Sequence, residues 1–232
     1  MSQLLSHGLP LLKDEKGQPA LCLVTGTTGY IGGRLIVELL AHGYRVRVLA
    51  RNASRLKNHP WINQVEVFEG DAQNEAALSA AMAGADVAYY LLHALMAKDH
   101  FEDQERAMAE LFGKVAKAAS IKRLVYLGGI IAPTETMSPH LQARADTGEI
   151  LRNCGVPTIE LRAGVVIGSG SASFEMLRYL TERLPIMTVP KWVNVRIQPI
   201  AVRDVLRYLV GAAALDKSAS GVFDIGGPEV FT

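Results

Sequence analysis

Residues 22–33 read Cys-Leu-Val-Thr-Gly26-Thr-Thr-Gly29-Tyr-Ile-Gly32-Gly, an apolar strand running directly into three glycines spaced three apart. A helical pattern follows at once. Gly26 permits a sharp turn off the strand, Gly29 lets backbone approach a ligand with no Cβ in the way, and Gly32 lets the helix pack closely on the strand. The helix N-terminus then offers N–H groups and a partial positive charge to an anion. An ordinary glycine-rich turn is the alternative reading of such a triplet. The strand before it, the helix after it and the next strand beyond favour a dinucleotide diphosphate site. Candidate contacts are Gly26, Thr28, Gly29, Tyr30, Ile31 and Gly32.

Working outward, strand-like and helix-like segments alternate through most of the 232 residues. Strands are expected at about 20–25, 44–50, 65–69, 86–92, 123–127, 157–162 and 222–225. Helices are expected after the glycines, where Ile31, Leu35 and Leu39 recur every four residues, and at about 73–83, 99–119, 139–154, 174–184 and 202–215. Long apolar strands with little alternation require a sheet covered on both faces. The expected fold is therefore α/β, a Rossmann-type doubly wound parallel sheet over 20–162, with a small C-terminal lobe over 163–232 interleaved with it. Residues 1–19 read as a flexible lead-in. The ending Pro228-Glu-Val-Phe-Thr232 places a helix-capping residue last, so a further domain is expected beyond it.

Composition narrows the function. There are 24 Lys and Arg against 23 Asp and Glu, which leaves no global field for nucleic acid or acidic membrane. No apolar run approaches the roughly 20 residues needed to cross a bilayer, and residues 1–19 lack a signal-peptide pattern. A cytoplasmic protein with no membrane or nucleic-acid partner is expected. Cys22 and Cys154 have no metal-ligand company and read as buried thiols.

The second strand ends Arg47-Val-Leu-Ala-Arg51-Asn52 and holds no acid. An acid at that point accepts from ribose hydroxyls of NAD, whereas arginine suits the extra phosphate of NADP. Arg51 thus points to NADP over NAD, its alternative being a solvated surface arginine. Asp71, past the third strand, reads either as an acceptor for an adenine amino group or as a helix cap. His93, past the fourth strand, lies where ligands bind in open α/β sheets; it reads equally as a polar residue at a strand end. Arg162 ends the sixth strand and faces either an anion or an acid such as Glu160 or Asp204.

The glycine spacing, together with Glu69-Gly-Asp71, Leu124-Val-Tyr-Leu-Gly128, Leu161-Arg-Ala-Gly164-Val-Val-Ile-Gly168 and Gln198-Pro-Ile-Ala-Val-Arg-Asp204, resembles the extended and atypical short-chain dehydrogenase/reductase superfamily. The nearest branch is NmrA-like or sugar-nucleotide-epimerase-like, and the likeness spans about 20–227. It implies a nicotinamide coenzyme, a role for Gly128 beside it, an unidentified small-molecule substrate, and helices at 99–119 and 139–154 that pair in a homodimer. The superfamily's catalysis uses a tyrosine, a lysine four residues later and an upstream serine. This chain departs from that pattern. No tyrosine has lysine four residues on, His140 and Arg144 stand where the pair belongs, and Gly128-Gly129 stands where the serine belongs. His140 and Arg144 share one helix face, and a histidine relays protons near neutrality. Two readings remain open. One is an NADPH-dependent reductase or isomerase with a modified site; the other is a sensor or scaffold that binds NADP(H) without turnover. Ser138 reads as a helix cap with Pro139 in the first turn.

Overall fold

The computed structural model describes residues 8–92, 101–131, 138–183 and 196–231. Its first half runs β1 (Leu21–Val24), α1 (Tyr30–His42), β2 (Arg45–Ala50), β3 (Glu66–Glu69), α2 (Glu75–Met82), β4 (Val87–Tyr90) and α3 (Phe101–Ala118). Then follow β5 (Arg123–Gly129), α4 (Pro139–Asn153), β6 (Thr158–Ala163), β7 (Val166–Ile167), α5 (Ala172–Arg183), β8 (Ile200–Ala201), α6 (Val202–Ala214) and β9 (Gly221–Ile225). Seven strands form one sheet in the order β3-β2-β1-β4-β5-β6-β9. Every neighbouring pair in it is parallel.

Alternation along β1 shows why these strands are apolar throughout. Leu21 and Leu23 join one core, Cys22 and Val24 the other. Successive side chains of a strand point to opposite faces, so a sheet covered on both sides needs every position apolar. One core gathers Leu35, Ile36 and Leu39 of α1 with Val205, Leu206, Leu209 and Val210 of α6. The other gathers Leu78 and Met82 of α2, Met108, Phe112 and Val115 of α3, and Leu151 of α4. Helix α1 stops where His42-Gly43 predicts. Gly43 lies at φ 98° and its N–H closes on the carbonyls of Leu39 and Leu40.

The chain goes outward from β1 to β2 and β3, then returns to place β4 on the other side of β1. That reversal opens a crevice at the carboxyl ends of β1 and β4, the position where open parallel sheets bind ligands. The link from β2 to β3 contains two short 3₁₀ turns, Ala53–Leu56 and Ile62–Gln64.

Residues 163–232, expected as a lobe, supply β9 to the main sheet and α6 to its face. They also form a separate parallel pair, Val166 with Ile200 and Ile167 with Ala201. Segment 8–19, expected as a flexible lead-in, lies along the α1 side. Leu9, Leu11 and Leu12 pack on the core, and Arg45 donates to Pro19 O at 2.9 Å and to Asp14 at 3.2 Å. Among the described residues no helix is long and apolar enough to cross a membrane.

Candidate functional site

A cleft of about 830 Å³ opens at the carboxyl edge of β1, β2, β3 and β4. Its floor is the turn Thr25–Gly29. Gly26 sits at φ 69°, a left-handed conformation, and a Cβ there would run into the carbonyl of Leu91. A Cβ on Gly32 would run into the carbonyl of Gly26. Both glycines are therefore demanded by close approach of backbone to backbone. Gly29 differs: its φ of −78° suits any residue, and only Gly26 O, at 3.1 Å, lies within 4 Å of a Cβ built there. The open space beside it is the cleft itself. Gly29 also caps α1, with no side chain on the first N–H groups and no acid in the first turn. An uncapped helix start beside an open cleft fits an anionic diphosphate.

Thr25 fixes this floor to its neighbour. Its hydroxyl donates to Tyr89 O at 2.7 Å and accepts from Leu91 N at 3.4 Å, so the ends of β1 and β4 are stitched together. Sequence reading missed this residue, because the partner strand is set by topology rather than by proximity along the chain.

Arg51, at the exit of β2, lines the cleft as expected. Structure adds Arg55 beside it. Asn52 accepts from Ser54 N at 2.9 Å and from the Ser54 hydroxyl at 2.5 Å, which winds residues 53–56 into a 3₁₀ turn. Fully buried Leu56 pins that turn to the core. Both arginines are exposed, and neither side chain has a hydrogen-bond or ion-pair partner among the described residues. Two unpartnered guanidinium groups at one rim form a strong attractor for a phosphate.

Asp71, just past β3 and so beside the end of β2, also lines the cleft. The expectation that it caps a helix needs correction. Its Oδ1 accepts from Gln73 N at 3.0 Å in a local turn, while α2 is capped by Asn74, which accepts from Ala77 N at 3.0 Å. Two short polar side chains three residues apart divide the work, and the second stands at the actual helix start. Thr28 lines the cleft, and Tyr30 and Ile31 supply first-turn amides of α1. The Tyr30 ring turns away, toward residues 168–170.

Gly128, expected beside the coenzyme, and the expected catalytic pair His140 and Arg144 are not among the described residues that line this cleft. Gly128 is buried near the ring of Tyr126 and the carboxylate of Glu160 rather than in the wall of the cleft. Ser138 caps α4 by accepting from Leu141 N at 3.3 Å, with Pro139 in the first turn. His140, the second residue of α4, is half-buried, and Arg144 one turn later donates to Leu127 O at 3.1 Å. Neither lines the cleft as it extends through the described residues. Tyr126, on β5, is buried and donates to Arg144 O at 3.2 Å; burial pushes its hydroxyl up to about 12. His93 lies outside the described residues.

Arg162 resolves toward the structural choice. Its Nε donates to Glu160 Oε1 at 2.7 Å, and Arg152 holds the other oxygen. Glu160 is 1 % exposed, so this carboxylate is a buried counter-charge between two arginines. Burial and the neighbouring Arg162 both lower the pKa of Arg152. A smaller groove of about 380 Å³ between α3 and α4 is crossed by the Arg106–Asp146 ion pair at 2.8 Å and, among the described residues, is otherwise lined by Glu149, Ile150 and Asn153.

Comparison with known proteins agrees with this geometry. Residues 26–166, more than half of the chain, match the family model described as NAD(P)H-binding. A ceramide reductase of Caulobacter vibrioides is 27% identical over 201 residues, covering 85% of this chain and 61% of that protein. A ketoreductase of Aspergillus fumigatus is 32% identical over 120 residues, 48% of this chain and 36% of its own length. The chain thus spans less than two thirds of these relatives. Among solved structures, the Bordetella bronchiseptica enzyme WbmG in complex with NAD superposes with a TM-score of 0.75 at 18% identity, covering 94% of this chain and 76% of that one. A nucleoside-diphosphate-sugar epimerase from Staphylococcus aureus gives 0.74 at 16% identity, covering 90% and 72%. The chain belongs to the NAD(P)H-binding family and has the fold of the extended short-chain dehydrogenase/reductase superfamily.

Proposed function

We propose that this chain binds NADPH and is the coenzyme domain of a reductase that acts on the carbonyl of a small molecule. The carrying observation is the cradle at β1–α1, where Gly26 and Gly32 leave no room for a Cβ and Gly29 opens an uncapped helix start to the cleft. First-turn amides of α1 would seat the diphosphate. Arg51 and Arg55 would take the 2′-phosphate as a pair, and Asp71 has a carboxylate oxygen beyond the one held by Gln73 for the adenine amino group. Bound coenzyme supplies a hydride. The relatives named as ceramide reductase and ketoreductase favour a ketone over a sugar nucleotide as its acceptor. His140 would hold the proton that a reduced carbonyl oxygen needs, while Arg144, tied to Leu127 O, holds α4 against β5.

A second reading, an NADP(H) sensor without turnover, draws on Tyr126. This tyrosine, near the expected catalytic helix, is buried and committed to the Arg144 carbonyl, so it offers no accessible phenol. Titration with NADPH and NADH, followed by nicotinamide fluorescence, tests the shared claim. Absence of binding for either at millimolar coenzyme overturns both readings. Turnover on a ketone panel that His140→Ala abolishes, with NADPH binding intact, selects the reductase; binding without turnover on any ketone, quinone or sugar nucleotide selects the sensor.

A further inference from the structure

Behind the diphosphate seat, the side chains of Tyr30 and Arg34 on α1 form a platform that turns away from the cleft toward residues 168–170. The Arg34 guanidinium lies 3.9 Å from the centre of the Tyr30 ring. It donates to Tyr30 O at 3.2 Å and across the chain to Ser169 O at 3.0 Å. Loop 168–171 rests on this platform. A Cβ on Gly168 would strike the Tyr30 hydroxyl and come within 2.6 Å of Val202, and Gly170, at φ 81°, would place one 3.7 Å from both Arg34 and Tyr30. The Tyr30 hydroxyl is buried there with no hydrogen-bond partner among the described residues. Shape rather than a polar bond thus sets its place.

The loop passes its position on to α5. Ser171 is buried, its hydroxyl donates to Val166 O at 3.0 Å, and its N–H bonds Gly168 O at 3.0 Å. Glu175 N donates to Ser171 O at 2.8 Å, and Gly170 N donates back to the Glu175 carboxylate at 3.1 Å. One continuous set of contacts therefore runs from the first turn of α1 to the first turn of α5.

Resting on the coenzyme reading above, we propose that Tyr30 and Arg34 are a latch coupling occupancy of the diphosphate seat to the order of loop 168–171 and α5. An anion held by the first-turn amides fixes the residue whose ring and carbonyl position Arg34, and Arg34 fixes Ser169. Coupling of this kind is reciprocal, so a docked loop also favours coenzyme.

Hydrogen exchange of the whole chain with and without NADPH tests it, beside an independent fluorescence titration of NADPH. In the native protein, coenzyme should slow amide exchange in both 26–34 and 168–183, the latter by about tenfold. In Arg34→Ala, an exposed position, slowing at 26–34 should remain and slowing at 168–183 should vanish. Gly168→Ala, which props the loop off Tyr30 from the other side, should do the same. Persistence of the 168–183 effect in both variants overturns the latch, as does its absence in native protein that binds NADPH. Failure of native protein to bind NADPH in the titration overturns the coenzyme reading itself, and the latch with it.

Discussion

Replacing Gly29 and Gly32 separately by alanine divides the binding role of the cradle from its structural role. At Gly29 the backbone is ordinary (φ −78°, ψ 163°), and the new methyl meets only Gly26 O at 3.1 Å, which must yield by a few tenths of an ångström. Alanine also removes about 0.4–1 kcal/mol of freedom from the unfolded chain. These effects nearly cancel, so folding stability should change by less than about 0.5 kcal/mol. The methyl nevertheless stands in the open space where a diphosphate would meet the helix start. Loss of one charge-assisted N–H bond, about 1.5–3 kcal/mol, raises the NADPH dissociation constant by roughly tenfold to a hundredfold. At Gly32 the added carbon lands on Gly26 O, 2.9 Å from Gly26 C and 3.2 Å from Thr27 Cα, all backbone with no rotamer to escape into. Overpacking there should cost about 1–3 kcal/mol and lower Tm by roughly 2–4 °C for each. Urea denaturation and fluorescence titration of both variants read the two effects. A folded Gly29→Ala that binds NADPH as tightly as native protein would refute the placement of the diphosphate.

If the rim takes the 2′-phosphate as proposed, Arg51→Ala and Arg55→Ala should each weaken NADPH by about tenfold and leave NADH within about twofold; isothermal titration with both coenzymes checks this. Glu160→Gln removes the buried carboxylate that Arg152 and Arg162 share and should cost about 3 kcal/mol, the low end for a broken buried pair because the arginines keep some solvent. Gly148→Ala should cost about 1–3 kcal/mol through the same carboxylate, since its Cβ would sit 2.5 Å from Glu160 Oε2; denaturant midpoints measure both. Stability should fall in alkali. Burial raises the pKa of Cys22 and of Tyr89 and Tyr90, and pushes Tyr44 and Tyr126 to about 12. The folded chain keeps these protons while the unfolded chain releases them from about pH 8.5 for the thiol and about pH 10 for the phenols. The contribution is therefore whole below those values and declines as pH climbs toward the folded ones. An unchanged urea midpoint between neutral pH and about pH 10.5 would contradict that sign.

Most of the secondary structure was legible because its causes are local. Apolar runs, the Gly43 stop and the Ser138-Pro139 start each depend on residues within one turn of one another, and α4 begins and ends within a residue of its expected limits. The glycine cradle was legible for the same reason: strand, turn and helix start are contiguous. Where two local signals competed, reading was weaker. Asp71 and Asn74 both resemble caps, and only the completed helix shows that Asn74 holds the role. Arg55 escaped notice because a basic residue in a polar loop carries no mark of its own; the Asn52 turn and the buried Leu56 bring it to the rim.

The amino-acid sequence by itself determined that a parallel, doubly covered sheet would form and that its first turn would present bare amides to an anion, since a missing Cβ and a strand-to-helix transition are properties of neighbouring residues. Tertiary structure alone decided that β4 returns beside β1 and that β9 closes the sheet beside β6. It also decided that Glu160 lies beneath Gly148 and that Arg34 reaches Ser169, 135 residues away. Those contacts are set by which apolar faces pack together across the whole chain, and no stretch of it short enough to read as a motif holds both partners.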